Sequence, residues 1–261
     1  MVVFFDIDGT IVDDESQVIP ESAVRAVAQL RKNGHIPVVN TGRPYSHIDP
    51  RVRAMDFSAY ICACGMEILL DGQWLTRQHP SVEVCRAVRD AARECRMQVI
   101  YEADDGHILT DGQWSTHPAA VKEAVRMAGK GFTVRELDSL PEPKFMKLVN
   151  FETSESRREE YLRRTAPWFD CIDRITLLEL VLKGCSKAGG MEILLNHLGV
   201  SREDTLAIGD STNDLPMFRA AKHTVCMGGG MEALKAEAEY ITAPVLEDGI
   251  EKALEHFGLI G

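Results

Sequence analysis

The stretch VVFFDIDGT (residues 2–10) places four apolar residues directly before two aspartates that lie one residue apart. The apolar run is too short for an independent helix and predicts a strand that is buried on both faces. A carboxylate at the end of such a strand loses hydration and repels its neighbour, while Gly9 allows the backbone to turn sharply. We therefore interpret Asp6 and Asp8 as part of a site in which a cation offsets the negative charge.

Apolar strands and helices alternate along the chain, and this pattern predicts a parallel sheet with helices on its faces. In the outer parts of the chain we predict strands at 36–40, 59–63, 205–210 and 223–227, helices at 20–34, 186–199 and 213–221, and a hairpin at 67–77. In the middle we predict helices at 81–95, 117–129 and 154–167, strands at 98–102, 146–152 and most of 173–182, and a turn in 107–114. The sequence thus predicts an α/β core formed by 1–80 and 183–261, interrupted by an α+β insert at 81–182.

Polar segments stand at the ends of the core strands and at the start of a core helix, where the carboxyl edge of a parallel sheet binds ligands. Asp6, Asp8 and Asp210 offer the hard oxygen ligands that Mg²⁺ prefers. Thr41 and Gly42 offer a hydroxyl and closely approaching backbone N–H groups, while Lys187 follows the predicted helix N-terminus at Ser186. A cation and a lysine would together allow a carboxylate to attack a phosphorus atom.

The composition excludes several classes of partner. Lys and Arg number 29 against 40 Asp and Glu, which gives a net charge of −11 and argues against a broad nucleic-acid or anionic-membrane surface. No stretch approaches the roughly twenty apolar residues of a membrane span, and no basic leader is visible. Seven cysteines without a disulfide or zinc-ligand pattern favour buried thiols in a reducing, cytoplasmic location, and the histidines show no ligand spacing.

The motifs DIDGT, NTGRP, KGCSK and GDSTND, in this order, resemble the haloacid dehalogenase (HAD) phosphatase superfamily. The long insert between TGRP and the lysine, together with the tail VLEDGIEKAL (245–254), resembles the Cof-like (type IIB) sugar-phosphatase branch. The resemblance covers the whole chain. It implies a Rossmann-like parallel sheet core with helices on both faces, and it implies that the insert is a cap domain that selects the substrate.

The resemblance also implies roles for individual residues. Asp6 would be the nucleophile that forms an aspartyl-phosphate, and Asp8 the general acid and then the general base. Mg²⁺ would be bound by the Asp6 side chain, the Asp8 backbone carbonyl and Asp210. Phosphate binding would involve Thr41, Gly42, Lys187 and Asn213. Asp214, with Asn213, would hold the lysine and the metal loop in place.

This chain departs from the family pattern at three places. Asn40 stands where the family usually has alanine, Cys64-Gly65-Met66 replaces Asn-Gly-Ala, and Ala188 stands where glycine is common. The change at Cys64 puts in doubt any substrate contact made by the family's asparagine. Lys183 competes with Lys187 for the lysine position, and we prefer Lys187 because it lies just inside the helix. Arg43 is left open between a substrate contact and simple solvation of its loop.

Three functions compete at this point. The first is a Mg²⁺-dependent phosphatase that acts on a small phosphorylated metabolite, with sugar phosphates the first candidates. The second is a phosphosugar mutase, and the third is a non-catalytic phosphometabolite sensor, which would not need Asp8. A cap that closes over a site predicts hinges near 78–82 and 182–186. An acidic surface is compatible with a monomer or a homodimer.

Overall fold

The computed structural model describes residues 1–112, 116–129, 131–173 and 177–261. The chain divides into two compact units. Unit 1 contains Met1–Arg43, Ile48–Arg77 and Ser186–Gly261, and unit 2 contains Pro44–His47 and Gln78–Cys185. The predicted insert at 81–182 falls within the Gln78–Cys185 segment of unit 2, and no residue pattern predicted that the short segment Pro44–His47 belongs to the same unit. In the described part of the chain, no helix combines the length and apolar composition needed to cross a membrane.

The strands are numbered in chain order. They are β1 (Val2–Phe5), β2 (Ile36–Asn40), β3 (Ala59–Cys62), β4 (Glu67–Leu70), β5 (Gln73–Arg77), β6 (Gln98–Glu102), β7 (His107–Thr110), β8 (Thr133–Glu136), β9 (Lys147–Phe151), β10 (Phe169–Asp173), β11 (Leu178–Leu182), β12 (Thr205–Gly209), β13 (His223–Cys226) and β14 (Tyr240–Ile241).

The helices follow the same numbering. They are α1 (Glu21–Lys32), α2 (Pro50–Arg53), α3 (Val82–Glu94), α4 (Pro118–Gly129), α5 (Arg158–Thr165), α6 (Lys187–Leu198), α7 (Leu215–Ala220), α8 (Glu232–Lys235) and α9 (Gly249–His256).

Unit 1 is built on a sheet with the strand order β14-β13-β12-β1-β2-β3-β4-β5, counted over the residues that the structure describes. The pairs from β14 to β3 are parallel, and β3, β4 and β5 form antiparallel pairs that confirm the predicted hairpin. Strand β1 lies in the middle, and all four of its side chains are buried. The run that opens the chain therefore places its following aspartates at the centre of the carboxyl edge.

Helices cover both faces of this sheet, as the sequence predicts. Val2 and Phe4 of β1 pack in one apolar cluster with Met191 of α6 and Met217 of α7. Because side chains alternate along a strand, Phe5 faces the other side. On that side α1 packs against β2 and α9.

Unit 2 is an α+β structure with the strand order β10-β11-β9-β6-β7-β8 in its described part. Helices α3 and α5 pack on one face of this sheet, and α4 packs on the other. The predicted turn in 107–114 is preceded by a strand, because His107–Thr110 forms β7. Residues 113–114 of that predicted turn and residues 174–176 of the predicted strand at 173–182 lie outside the described residues.

Candidate active site

The four polar segments of the sequence come together at the carboxyl edge of the unit 1 sheet. Phe5 pairs with Ile208, and the Asp6 N–H donates to the Ile208 carbonyl at 3.0 Å, so that Asp6 and Asp210 leave neighbouring strands side by side. On the other side of β1, strand β2 ends just before Thr41. Helix α6 begins at Lys187, and the Ser186 hydroxyl caps it by accepting from the Gly189 N–H at 3.0 Å.

Lys187 joins two of the predicted aspartates. Its Nζ donates to Asp6 Oδ1 and to Asp214 Oδ1, each at 2.6 Å. The three residues are buried, with exposed fractions of 3% for Lys187, 4% for Asp6 and 0% for Asp214. Burial disfavours the charged form of the ammonium, but the carboxylates of Asp214 and Asp6 reverse this and hold the pKa of Lys187 above its usual value. Burial also raises the pKa of Asp6 to about 7, against the opposing effect of Lys187.

Both carboxylate oxygens of Asp214 accept hydrogen bonds, Oδ1 from Lys187 and Oδ2 from the loop around it. Its second oxygen, Oδ2, accepts from the backbone N–H of Asp210 at 3.0 Å and of Ser211 at 3.2 Å. A side chain at Gly209 would not fit, because its Cβ would lie 2.5 Å from Asp214 Oδ2. Asp214 thus fixes the lysine with one oxygen and the loop after β12 with the other.

Asp210 lies against the loop that follows β1. Gly9 has a φ of +72°, and a Cβ there would lie 2.5 Å from Asp210 Oδ2. Thr10 Oγ1 donates to Asp210 Oδ1 at 3.5 Å. Burial, followed by the nearby charges of Asp6 and Asp214, raises the pKa of Asp210 to about 8. These close contacts explain why the motif needs glycine at residue 9.

Three carboxylates could hold a metal ion here. Asp6, Asp210 and Asp214 each offer one oxygen, and these oxygens all lie within 4.8 Å of one another. The donors are hard oxygens, and the raised pKa values of Asp6 and Asp210 indicate a deficit of positive charge. The residues therefore fit a divalent cation, with Asp6 and Asp210 better placed than Asp214 to bind it directly, because both oxygens of Asp214 already accept hydrogen bonds.

Arg43 lies on Asp8, a contact that the sequence did not predict. Its Nε donates to Asp8 Oδ2 at 2.7 Å, and its Nη2 donates to Asp8 Oδ1. The backbone N–H of Arg43 donates to Thr41 Oγ1 at 3.2 Å, while the Thr41 N–H donates to the Ile61 carbonyl at 2.8 Å. Thr41 is buried and Gly42 half-buried.

Two residues of the site depart from the family pattern. Asn40 is fully buried, and its Nδ2 donates to the Lys187 carbonyl at 3.2 Å, while its Oδ1 has no hydrogen-bond partner among the described residues. Cys64 adopts a left-handed backbone conformation with φ 56° and ψ 41°. Asparagine tolerates that conformation better than most residues, so the family's asparagine has a backbone reason to occur at this position.

The remaining predicted residues lie nearby or elsewhere. Asn213 Oδ1 accepts from the Ser211 hydroxyl in the loop that Asp214 holds. Lys183, the competing lysine, belongs to unit 2, where its Nζ donates to the Ala166 carbonyl at 3.0 Å. Asn40 and Thr10 were not foreseen as site residues. The only signal for Asn40 was its departure from the family's alanine.

The sheet topology and this cluster define a class of hydrolase. Residues 3–254 match the model of the haloacid dehalogenase-like hydrolases, and the chain belongs to that family. The resemblance drawn from the four motifs is thereby confirmed. Within the family the chain is a phosphoric monoester hydrolase that acts on small phosphorylated substrates.

Named relatives and solved structures are similar over nearly the whole chain. Bacillus subtilis (strain 168) YkrA, provisionally named a phosphatase, is 30% identical, with 99% of this chain and 98% of YkrA covered. YitU of the same organism, a 5-amino-6-(5-phospho-D-ribitylamino)uracil phosphatase, is 26% identical, with 99% of this chain and 98% of YitU covered. The structure of the HAD subclass IIB sugar phosphatase BT4131 superposes with a TM-score of 0.80 at 26% identity, with 99% of each chain covered.

Proposed function

We propose that this protein is a Mg²⁺-dependent phosphatase that hydrolyses small phosphomonoesters, with sugar phosphates first among them, through an aspartyl-phosphate on Asp6. The observation that carries the proposal is the buried lysine beside Asp6, with Lys187 Nζ 2.6 Å from Asp6 Oδ1. A buried carboxylate next to a fixed ammonium is suited to attack an anionic centre, because the cation reduces the repulsion between the two anions.

Asp6 carries out the first bond change in this proposal. One of its oxygens forms a bond to phosphorus, the phosphorus–oxygen bond of the ester breaks, and the electron pair of that bond goes to the departing oxygen. In the second half, the oxygen of a water molecule bonds to phosphorus, and the electron pair of the broken bond returns to Asp6. Inorganic phosphate and the restored carboxylate result.

Asp8 moves the proton in both halves. Its carboxyl donates a proton to the departing alkoxide, and the resulting carboxylate then accepts a proton from the attacking water. Such general acid–base catalysis contributes roughly 10²–10⁴-fold to a rate. The position of Asp8 two residues after Asp6, with Gly9 turning the backbone behind it, supports this assignment.

The phosphoryl oxygens would be held by groups from three segments of unit 1. Thr41 and Gly42 would contribute a hydroxyl and backbone N–H groups, and Asn213 its side-chain amide. Lys187 has two acceptors among the described residues, Asp6 and Asp214, so an ammonium N–H remains for an oxygen of the phosphoryl group.

A Mg²⁺ ion would be held by the side chains of Asp6 and Asp210 and by the Asp8 carbonyl. When bound, it would neutralise charge on the phosphoryl group and favour the ionised form of Asp6. Asp214 would hold both Lys187 and the loop that carries Asp210, a function that the three hydrogen bonds from the lysine and the loop backbone to its carboxylate support.

The class of substrate is proposed from the relatives. YitU is named for a phosphorylated ribitylamino compound, and BT4131 is described as a sugar phosphatase. Both names describe phosphates of polyhydroxylated carbon chains. In this proposal unit 1 is the catalytic core, unit 2 is the cap that selects the substrate, and the hinges predicted near 78–82 and 182–186 stay predictions, as does a cytoplasmic location.

The test is phosphate release from a panel of sugar, polyol, nucleotide and aryl phosphates, with Mg²⁺ or with a chelator. Asp6→Asn is compared with Asp204→Asn, which alters an exposed aspartate of unit 1. We expect metal-dependent release that Asp6→Asn abolishes and Asp204→Asn leaves unchanged. Asp8→Asn should accumulate an acid-stable, hydroxylamine-sensitive phosphoenzyme on an activated ester, since water attack then lacks its base.

Other outcomes would point elsewhere. Release that persists in Asp6→Asn would contradict the aspartyl-phosphate. Transfer of the phosphoryl group between sugar positions, with a sugar bisphosphate as activator and little free phosphate, would indicate the mutase. Binding of phosphorylated metabolites without turnover in folded, Mg²⁺-loaded protein would indicate the sensor.

A further inference from the structure

Arg43 holds both oxygens of Asp8 at once. Its Nε and Nη2 donate to Oδ2 and Oδ1 of the same carboxylate, with the Nε contact at 2.7 Å. This two-point pairing fixes the plane of a carboxylate as well as its position, which a single contact or a lysine would not do. The side chain of Arg43 is 19% exposed and that of Asp8 is 37% exposed, so the pair lies at the boundary between the protein and solvent.

The backbones on both sides of this pair are fixed by hydrogen bonds. The Arg43 N–H donates to Thr41 Oγ1 at 3.2 Å, and its carbonyl accepts from the Ala63 N–H at 2.7 Å. Next to Asp8, the Gly9 N–H donates to the Val12 carbonyl at 2.8 Å. The guanidinium of Arg43 and the carboxylate of Asp8 therefore pair across two loops whose backbones are hydrogen-bonded, one after β1 and one after β2.

We propose that Arg43 is a positioning residue that aims the Asp8 carboxyl at the departing oxygen of the ester, rather than a residue that binds the substrate. This inference rests on the proposed function of Asp8. It replaces the two interpretations of Arg43 that the sequence left open.

The pairing is compatible with both halves of the reaction. When Asp8 carries its proton, each of its oxygens keeps a lone pair that accepts from the guanidinium, and the hydroxyl oxygen presents the proton to the departing alkoxide. When Asp8 has given up the proton, both oxygens accept from Arg43, and the carboxylate is held ready to take a proton from water. The plane of the carboxyl is preserved throughout, which matters because misplacing a catalytic group by about 1 Å costs roughly 10²-fold in rate.

Esters with different leaving groups distinguish a positioning residue from a substrate-binding residue. An alkyl phosphate releases a strongly basic alkoxide that needs a proton in the first step. An aryl phosphate with an electron-withdrawing group, such as p-nitrophenyl phosphate, releases a stable phenolate without one. Loss of a residue that acts through Asp8 should therefore slow formation of the phosphoenzyme from the alkyl ester far more than from the aryl ester.

The experiment measures single-turnover phosphoenzyme formation from a sugar phosphate and from p-nitrophenyl phosphate, both with Mg²⁺. The variants are Arg43→Gln, Arg43→Lys, Asp8→Asn and the control Arg51→Gln, which removes a similar pair between Arg51 Nε and Nη2 and the two carboxylate oxygens of Asp49 on the surface of unit 1. We expect both Arg43 variants to slow the sugar phosphate by roughly 10-fold to 100-fold and the aryl ester by less than about threefold. Arg51→Gln should match the wild type on both esters.

The combined variant Asp8→Asn/Arg43→Gln tests whether Arg43 acts through Asp8. Its rate on the sugar phosphate should equal that of Asp8→Asn alone, because Arg43 then has no acid left to aim. Equal slowing of both esters by Arg43→Gln, with a raised KM and rescue by Arg43→Lys, would overturn the inference and make Arg43 a ligand of the phosphoryl group.

Failure of this inference can be told apart from failure of the proposed function. If the wild type forms a phosphoenzyme that Asp6→Asn does not form, the proposed function stands whatever the Arg43 variants do. A readout without turnover is urea unfolding of the four proteins of the Asp8/Arg43 cycle in chelator. We expect the two substitutions to be non-additive, and strict additivity would contradict the pairing itself.

Discussion

Lys187 Nζ lies 2.6 Å from Asp6 Oδ1, although 181 positions separate the two residues in the chain. Asp6 follows the first strand, and Lys187 opens the helix that comes directly after unit 2. The parts of unit 1 that precede and follow Gln78–Cys185 in the sequence are therefore joined by a buried ion pair as well as by the pairing of β1 with β12. The site exists only when both parts have folded together.

Replacing the buried lysine should destabilise the protein strongly. Lys187→Met leaves the carboxylates of Asp6 and Asp214 buried without their cation, and breaking one side of a buried pair costs about 3–5 kcal/mol. We expect a loss of that size in the free energy of unfolding, measured by urea denaturation in chelator at a pH above about 8, together with loss of phosphatase activity.

Lys183→Met is the matched control for that substitution. Lys183 Nζ contacts a single carbonyl at an exposed position, so its removal should change stability by about 0.5 kcal/mol or less. Equal losses in the two variants would show that burial at residue 187 contributes nothing specific.

Alanine substitutions at Gly9 and Gly34 distinguish the cost of backbone strain from the cost of crowding against Asp210. Both have positive φ, +72° and +86°, but only at Gly9 would a Cβ meet Asp210, at 2.5 Å, whereas nothing lies within 4 Å at Gly34. Each substitution by alanine should cost about 1–2 kcal/mol through the left-handed backbone. Gly9→Ala alone should also displace Asp210 and abolish the rise in melting temperature that we expect on adding Mg²⁺. A retained Mg²⁺ effect in Gly9→Ala would contradict the crowding.

The position of the site was predictable because it depends on strand ends. The sequence marks β1, β2 and β12 as apolar runs followed by polar residues, and parallel topology alone brings those ends to one edge. The choice of Lys187 over Lys183 followed from a helix start, since Ser186 is a good capping residue.

The rest was not predictable for physical reasons. Strand β8 has mostly exposed, polar side chains, β10 breaks its alternation with the adjacent apolar residues Cys171 and Ile172, and β14 has two residues, so none of them produces the sustained apolar alternation on which strand prediction depends. The pairing of Arg43 with Asp8 depends on how two loops approach each other, which residue spacing does not encode. The orphan acceptor on Asn40 likewise depends on its surroundings in three dimensions.

Mg²⁺ should stabilise the protein more at high pH than at low pH. Burial raises the pKa of Asp6 to about 7 and that of Asp210 to about 8, from an ordinary 3.8. At a pH between 3.8 and about 8, the metal-free folded state therefore binds more protons than the unfolded state. Its stability therefore falls as the pH rises through that window, because ionising the buried carboxylates becomes a cost of folding.

A bound cation offsets that cost only where the carboxylates are ionised. The rise in melting temperature on adding Mg²⁺ should thus be larger at about pH 8 than at about pH 6, as measured by calorimetry at constant ionic strength. Asp210→Asn should remove most of the difference between the two pH values. A rise of the same size at both would contradict the raised pKa values.

Two fully buried asparagines should differ in what they contribute to stability. In unit 2, Asn150 Nδ2 donates to the Leu178 carbonyl at 3.0 Å and its Oδ1 accepts from the Tyr161 hydroxyl at 2.7 Å. In unit 1, Asn40 makes only the donor contact, at 3.2 Å, and its Oδ1 has no partner among the described residues.

Truncating Asn150 leaves the Leu178 carbonyl and the Tyr161 hydroxyl without this partner, and each unpaired buried group costs about 1–3 kcal/mol. Truncating Asn40 affects only the Lys187 carbonyl in this way, and it also removes an acceptor, Oδ1, that had no partner among the described residues. We therefore expect Asn150→Ala to lower the free energy of unfolding by at least about 2 kcal/mol more than Asn40→Ala does. Urea unfolding of both variants measures the difference. Equal losses would show that Asn40 Oδ1 is satisfied in solution, with an internal water the simplest donor, because a water in that place would be lost along with the amide.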